Sequence, residues 1–132
     1  MTRRQRVFLT RHFLRWMRKT GLTHDALCRA VSEMAQGLLD ADLGGGIFKK
    51  RVGLAGRGKS GGARTLVATN RGDRWFFMFG FAKNDRENIT GAELMALRML
   101  ASDLLRLAPS QMDAAIGDGS LQEICHDDQT FG

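Results

Sequence analysis

The sequence of 132 residues is poor in the features that mark several protein classes. Its two cysteines, Cys28 and Cys125, are too few and too far apart for a disulfide framework or a CxxC redox or metal motif. No apolar run approaches the roughly 18 residues that a membrane-spanning helix needs. The hydrophobic (43%) and charged (26%) fractions are those of a globular chain, which argues against a disordered chain or a coiled coil. These features favour a single domain over residues 1–132, located in the reducing cytoplasm.

The net charge of +6 is unevenly distributed along the chain. Residues 1–19 carry +7 and residues 47–86 carry +8, whereas residues 20–46 carry −3 and residues 87–132 carry −6. A localised positive block predicts a polyanionic partner, usually a nucleic acid. A basic surface that only keeps the protein soluble is the competing interpretation.

Apolar periodicity and turn residues predict an α+β domain. We expect two N-terminal helices, an antiparallel sheet of three to five strands and a C-terminal helix. The first helix is predicted over His12–Lys19, and the second follows an N-cap at Thr23 and carries an apolar stripe that ends at Leu38. The segment Asp40–Gly46 is predicted to be a loop, because three consecutive glycines do not continue a helix.

Three short runs rich in β-branched and aromatic residues predict the strands. They are Ile47–Leu54, Arg64–Asn70 and Arg74–Lys83. A capping box at Thr90 and Glu93 begins the C-terminal helix, and Pro109 ends it. Shorter elements are expected near the two ends of the chain: a strand at Arg6–Leu9, helical turns over Ser110–Ile116 and a strand at Leu121–Cys125.

Strand alternation assigns the side chains to faces of the sheet. Ile47, Lys49 and Arg51 share one face of their strand, and Arg64 can point to the same face from the next strand. The last strand carries an aromatic ladder on one face, which is more typical of a core than of a base-stacking platform. The ladder consists of Trp75, Phe77, Phe79 and Phe81, followed by Lys83. At its far end the core could give way to a binding site.

The segment Gly53–Ser60 formally matches the P-loop pattern G-x-x-x-x-G-K-[ST]. A P-loop continues into a helix, whereas strand-forming residues follow here, so we interpret the segment as a glycine-rich basic loop. Arg57 and Lys59, together with exposed backbone N–H groups, predict that this loop contacts phosphate. A merely flexible connection is the competing interpretation.

Histidine and cysteine show no spacing typical of a metal site or a catalytic base. His12 and His24 lack a partner at ligand spacing, and His126 lies in an acidic tail. We interpret the three histidines as surface or boundary residues and Cys28 as a small buried hydrophobe.

Three segments, Gly45–Val52, Gly56–Thr65 and Phe79–Ile89, together resemble the RelE/ParE superfamily of toxins over about residues 6–125. The branch they resemble is the HigB-like one, with its GKGKxGGxR…GKNE pattern. The resemblance implies the toxin of a bacterial type II toxin–antitoxin pair, with a helix-turn-helix antitoxin, the ribosome and messenger RNA as partners. It also implies cleavage of messenger RNA in the ribosomal A site without metal or cofactor. The ribose 2′-hydroxyl attacks the adjacent phosphate and leaves a 2′,3′-cyclic end.

Five basic residues match catalytic positions of the family. The resemblance implies that Lys49 and Arg51 position the RNA and perturb its 2′-hydroxyl. Arg64 would stabilise charge on the phosphate, and Lys83 or Arg86 would assist the leaving group. Lys50 is expected to point away from these residues and to make only a supporting contact. RNA contacts are expected from Lys50, Arg57, Lys59, Arg71, Arg74, Phe81 and Asn84.

The chain departs from the family pattern at two positions. It contains no tyrosine, and Phe81 stands at the strand position where HigB-like relatives often carry one. Asn84 stands where RelE places a catalytic arginine. Because the ParE branch inhibits DNA gyrase instead of cleaving RNA, two alternative functions stay open. They are a non-catalytic gyrase inhibitor and a plain RNA- or DNA-binding module.

Overall fold

The computed structural model describes residues 5–54, 62–82, 85–86 and 88–126. Within these residues the chain forms four helices and one six-stranded mixed sheet, so the predicted α+β class is confirmed. In chain order the elements are β1 (Arg6–Thr10), α1 (Arg11–Met17), α2 (His24–Ala35), β2 (Ala41–Gly44), β3 (Ile47–Val52), β4 (Ala63–Thr69), β5 (Arg74–Ala82), α3 (Gly91–Leu105), α4 (Pro109–Gly117) and β6 (Leu121–Ile124). None of the helices in these described ranges is both long and apolar enough to cross a bilayer.

Strand β1 makes the sheet mixed. The strand order is β2-β3-β4-β5-β1-β6, in which β1 runs parallel to β5 and the other neighbours are antiparallel. Val7, Phe8 and Leu9 are completely buried, so β1 carries apolar side chains on both faces and occupies the interior of the sheet. The predicted antiparallel sheet of three to five strands is therefore wrong in strand direction and in strand count.

The extra strand β2 forms inside the segment predicted to be a loop. Ala41 pairs with Lys49 of β3, so β2 becomes an edge strand. Gly44, Gly45 and Gly46 have φ angles of 82°, 64° and 81°, in the left-handed region that favours glycine. The glycines do prevent a helix, but they do so by turning the chain back into a hairpin.

Two helical layers cover the sheet. Helices α1 and α2 pack on one face, where Phe13, Met34 and Phe77 belong to one buried cluster. Helices α3 and α4 pack on the other face, where Phe76 and Leu97 belong to a second cluster. We call these the α1 face and the α3 face of the sheet.

A β-bulge at Met78 interrupts the alternation of β5. Leu66 of β4 pairs with Phe79, but the next residue, Val67, pairs with Phe77, which leaves Met78 without a partner in the register. One extra residue in a strand shifts the side chains that follow it to the opposite face. Odd-numbered side chains of β5 therefore point to one face of the sheet before Met78 and to the opposite face after it.

The bulge divides the aromatic ladder between the two faces. Phe77 packs in the cluster on the α1 face, whereas Phe79 packs against the cluster on the α3 face, and Phe81 follows it there. Between them Gly80 faces α1, where an added Cβ would lie 2.3 Å from the Trp16 ring. The predicted single-faced ladder is therefore wrong.

A disulfide joins Cys28 on α2 to Cys125, the residue after β6. The two positions are 97 residues apart in the chain, but their Cα atoms are 5.8 Å apart. The short distance shows that the end of β6 lies beside α2. The interpretation of Cys28 as an unpaired hydrophobe is corrected, although its side chain is buried as expected.

The predicted helix starts are confirmed. The Thr23 hydroxyl accepts a hydrogen bond from the Ala26 backbone N–H (3.1 Å). Thr90 and Glu93 form the complete capping box of α3. Pro109 follows the end of α3 and begins α4 (Pro109–Gly117), which confirms the helical turns predicted over Ser110–Ile116.

Candidate functional site

A row of side chains from three neighbouring strands crosses the α3 face of the sheet. Arg51 of β3 is opposite Arg64 of β4, and Arg64 is opposite Phe81 of β5. Opposite residues of antiparallel strands have Cβ atoms about 4.5–5.5 Å apart. Lys49 lies two residues before Arg51 and therefore on the same face. The prediction that Lys49, Arg51 and Arg64 share a face is confirmed.

Arg64 has an unsatisfied donor in this row. Its Nη1 atom is buried and has no hydrogen-bond partner among the described residues, although the residue as a whole is only half-buried. A buried polar nitrogen normally has an acceptor, since leaving it unpaired costs about 1–3 kcal/mol. An oxygen atom of a bound anion would satisfy this donor.

Arg86 approaches the same row from the chain beyond β5. Its guanidinium carbon lies 5.2 Å from the ring centroid of Phe79 and 5.6 Å from that of Phe81, within cation–π range. Its Nη1 atom donates to Glu93 Oε1 at 2.6 Å. Rings and carboxylate together hold the guanidinium at the end of the row. We call Lys49, Arg51, Arg64 and Arg86 the cationic surface.

Glu93 connects the cationic surface to the start of α3. The carboxylate oxygen that accepts from Arg86 also accepts from the Thr90 backbone N–H (2.9 Å). Two hydrogen bonds lower the pKa of Glu93 from its ordinary value of 4.5 to about 2. The bond from Arg86 has the larger effect, and the bond from the Thr90 backbone has the smaller one. The carboxylate is therefore ionised at neutral pH.

Replacing Glu93 with glutamine should weaken the dependence of stability on acid pH. Because the pKa is lower in the folded state than in the unfolded state, ionised Glu93 stabilises the fold above pH 4.5, and this contribution is lost as the pH falls towards about 2. Glutamine keeps the capping hydrogen bond but does not titrate. Free energies of unfolding of wild type and Glu93→Gln, measured by urea denaturation, should therefore converge as the pH falls. A constant difference between the two proteins would contradict this role.

His12 borders the cationic surface, and the sequence interpretation missed it. Its imidazole stacks on the Phe79 ring, with centroids 5.5 Å apart and 6° between the planes. The residue is exposed, so the outer face of its ring offers a surface on which a nucleobase can stack. No spacing in the sequence indicates this contact, because it depends on the pairing of β1 with β5.

Lys50 and Arg74 do not belong to the cationic surface. Lys50 is on the α1 face, where its Nζ atom lies 2.7 Å from Glu33 Oε1 and donates to the Leu38 carbonyl at 2.8 Å. Arg74 is 8% exposed and donates to the Leu107 carbonyl beyond α3. Both cations hold segments of the chain onto the sheet, which corrects the expectation that they contact RNA.

Arg71 and Phe81 also differ from expectation. Arg71 lies in the β4–β5 turn and packs over the Phe48 ring at 5.5 Å. That turn is at the other end of β4 from Arg64, roughly 17 Å away along the strand. Phe81 is only 3% exposed, so its ring supports Arg86 rather than offering a stacking surface. Four other predicted site residues lie outside the described residues: Arg57, Lys59, Lys83 and Asn84.

The described residues include no group of three or more His, Cys, Asp or Glu side chains placed to hold a metal ion. The site is instead an arrangement of cations and aromatic rings on one face of the sheet. Such an arrangement can bind a phosphate chain and stack against bases.

A family model described as the RelE toxin of the RelE/RelB toxin–antitoxin system matches residues 5–124. The matched span contains every strand and helix of the described structure. No curated protein matches the chain.

Proposed function

Because the chain belongs to the RelE family of toxins of toxin–antitoxin systems, we propose that it is an endoribonuclease that cleaves messenger RNA on the ribosome. The observation that carries this proposal is the buried Nη1 atom of Arg64, which lacks a partner among the described residues and lies in register with Arg51. Two adjacent guanidinium groups, one with a free donor, suit the non-bridging oxygens of a phosphodiester.

The proposed reaction is an attack of the ribose 2′-hydroxyl oxygen on the adjacent phosphorus. The bond from phosphorus to the 5′-oxygen breaks, the 2′-oxygen loses its proton and the 5′-oxygen gains one, which leaves a 2′,3′-cyclic phosphate. Negative charge increases on the phosphate oxygens during this step, so fixed positive groups lower the barrier. The proposed reaction uses no metal ion or cofactor.

Each cation of the surface has a proposed part. Arg64 donates to the phosphate and stabilises the charge that develops there. Lys49 and Arg51 hold the ribose–phosphate chain, and their charges favour ionisation of the 2′-hydroxyl. Arg86, held by Glu93, stabilises the departing 5′-oxygen. The same role is proposed for Lys83, which lies outside the described residues.

Three finer predictions rest on the sequence resemblance: membership of the HigB-like branch, a helix-turn-helix antitoxin and ribosome dependence. The proposed cytoplasmic location rests instead on the low cysteine content. Family membership itself implies a cognate antitoxin as partner.

Expression of the chain without its antitoxin tests the proposed function. We expect growth arrest together with new 5′ ends inside translated reading frames, and upstream fragments that end in a 2′,3′-cyclic phosphate detectable by mass spectrometry. An inhibitor of translation initiation, which leaves the messenger RNA without ribosomes, should suppress the breaks. Growth arrest without new 5′ ends in the messenger RNA would contradict the proposal. If the purified protein inhibits DNA supercoiling by gyrase, the ParE-type alternative is favoured.

A further inference from the structure

An array of aromatic rings and one guanidinium group extends from the cationic surface to the start of α1. The rings of Phe81 and Phe79 have centroids 6.3 Å apart, and Arg86 lies over both of them. The His12 imidazole stacks on the Phe79 ring at 5.5 Å, with 6° between the two planes. Of these four residues, only His12 is exposed. The exposed end of the array is therefore a flat aromatic ring.

The β-bulge at Met78 makes this array possible. Without the extra residue, alternation would place Phe79 on the α1 face together with Phe77. The Thr10 hydroxyl donates to the backbone at the bulge, with its oxygen 3.3 Å from the Phe77 carbonyl oxygen and 3.4 Å from that of Met78. Because Thr10 is also the N-cap of α1, the helix that carries His12 begins at the bulge. Bulges are common beside functional sites, where they redirect a side chain.

A nucleotide combines the two chemical groups that this part of the sheet suits. The Nη1 atom of Arg64 lacks a partner among the described residues and suits a phosphate oxygen. Arg64 lies opposite Phe81 in the register, so the phosphate donor is next to the array. The exposed ring of His12 is a surface on which a base can stack. An acidic peptide would pair with the cations but would leave this ring unused.

We propose that the His12–Phe79 pair is a stacking platform for a purine base of the RNA, at a nucleotide that flanks the phosphate bound by Arg64. The base stacks on the outer face of the imidazole, and Phe79 supports the inner face. A purine is favoured over a pyrimidine because its fused rings overlap more of the imidazole. His12 then influences which positions of the RNA are cleaved. This inference rests on the proposed cleavage of RNA.

The platform replaces the base contact that the sequence predicted for Phe81. That side chain is 3% exposed and lies beneath Arg86, so its ring is not open to a base. His12 comes from the other end of the sequence and supplies the exposed ring instead. The base preference of this chain therefore depends on α1 and not on the last strand of the sequence motif.

Binding of an RNA that cannot be cleaved tests the platform. The probe is a short single-stranded oligoadenylate with 2′-O-methylated riboses, which removes the attacking hydroxyl, and fluorescence anisotropy measures its affinity. We expect His12→Ala to bind about 10-fold more weakly than wild type and His12→Phe, which keeps a ring, to stay within about threefold. His24→Ala is the matched control and should bind like wild type. It removes an exposed imidazole from the start of α2, on the opposite face of the sheet.

Copies of the probe that lack one base identify the stacked nucleotide. At one position, the missing base should cost wild type about 10-fold in affinity. His12→Ala should not distinguish that copy from the intact probe, since each change removes the same contact. Wild type should prefer oligoadenylate to oligouridylate, and this preference should shrink in His12→Ala. During cleavage of messenger RNA on ribosomes, His12→Ala should raise KM more than it lowers kcat and should weaken the base preference beside the breaks.

Four results would overturn the platform. They are equal affinity of wild type and His12→Ala, a loss in His12→Phe as large as that in His12→Ala, an equal loss in His24→Ala, and a wild type that binds no probe. Circular dichroism should show that all three variants fold. If the chain binds the probe through His12 but cleaves no messenger RNA, the proposed function alone is wrong. If it cleaves messenger RNA with the same base preference in wild type and His12→Ala, the platform alone is wrong.

Discussion

Arg64→Ala is expected to lower the rate of messenger RNA cleavage about 10²- to 10³-fold, the loss that follows removal of one preorganised donor to a developing oxyanion. The substitution removes the buried Nη1 donor and the guanidinium that lies opposite Arg51. It should leave the fold intact, because Nη1 has no hydrogen bond within the described structure that the substitution would break. Initial cleavage rates on ribosome-bound messenger RNA, with thermal unfolding as a check, measure both effects.

Two matched variants separate charge from geometry. Arg29→Ala removes an exposed guanidinium from α2, which packs on the opposite face of the sheet, and should leave cleavage unchanged. Arg64→Lys keeps the charge but lacks the planar fork that binds two phosphate oxygens, so it should recover only part of the rate. If Arg64→Ala cleaves as fast as wild type, Arg64 has no part in the reaction.

Reduction of the Cys28–Cys125 disulfide is expected to lower the free energy of unfolding by several kcal/mol. The bond closes a loop across 97 positions. In the chain-entropy account, a cross-link over about 100 residues restricts the unfolded chain enough to contribute about 4.7 kcal/mol, and measured effects often fall below this figure. Urea denaturation of the oxidised protein with and without a thiol reductant measures the difference.

The double variant Cys28→Ala/Cys125→Ala is the control for this measurement. It should resemble the reduced protein in stability, and reductant should not change it further. Both proteins should keep near-native secondary structure, because Cys28 is one member of a larger buried cluster. An oxidised protein no more stable than the reduced one would show that the bond does not constrain the unfolded chain.

Local elements were predictable because their causes are local. The strands β3, β4 and β5 were predicted within two residues at each end, and the caps at Thr23 and Thr90 were predicted at the right residues. Alternation along β3 and β4 also correctly placed Lys49, Arg51 and Arg64 on one face. Each of these features depends on neighbours in sequence and on the period of two in a strand.

The parts that were wrong depend on contacts between distant segments. The bulge at Met78 exists only in the register of β5 against β4, so alternation alone placed Phe79 and Phe81 with Phe77. Lys50 points away from Arg51 and Arg64 as alternation predicted, but the sequence did not show that Lys50 and Arg74 are held by acceptors elsewhere in the chain. His12 reaches Phe79 because β1 lies beside β5 in the sheet.

The sequence by itself determined a basic α+β domain with a concentrated positive segment, because composition, charge order and local periodicity do not require a fold to be known. It also determined the family, since the motif order is a property of the chain. Only the tertiary structure decided which cations lie together. Strand pairing placed Arg51 and Arg64 on one face, and contacts with Phe81 and Glu93 hold Arg86 beside them. Lys50 and Arg74 are instead buried in ion pairs and hydrogen bonds. A positive charge contributes to a site through its position in space, and that position depends on pairings across the whole sheet.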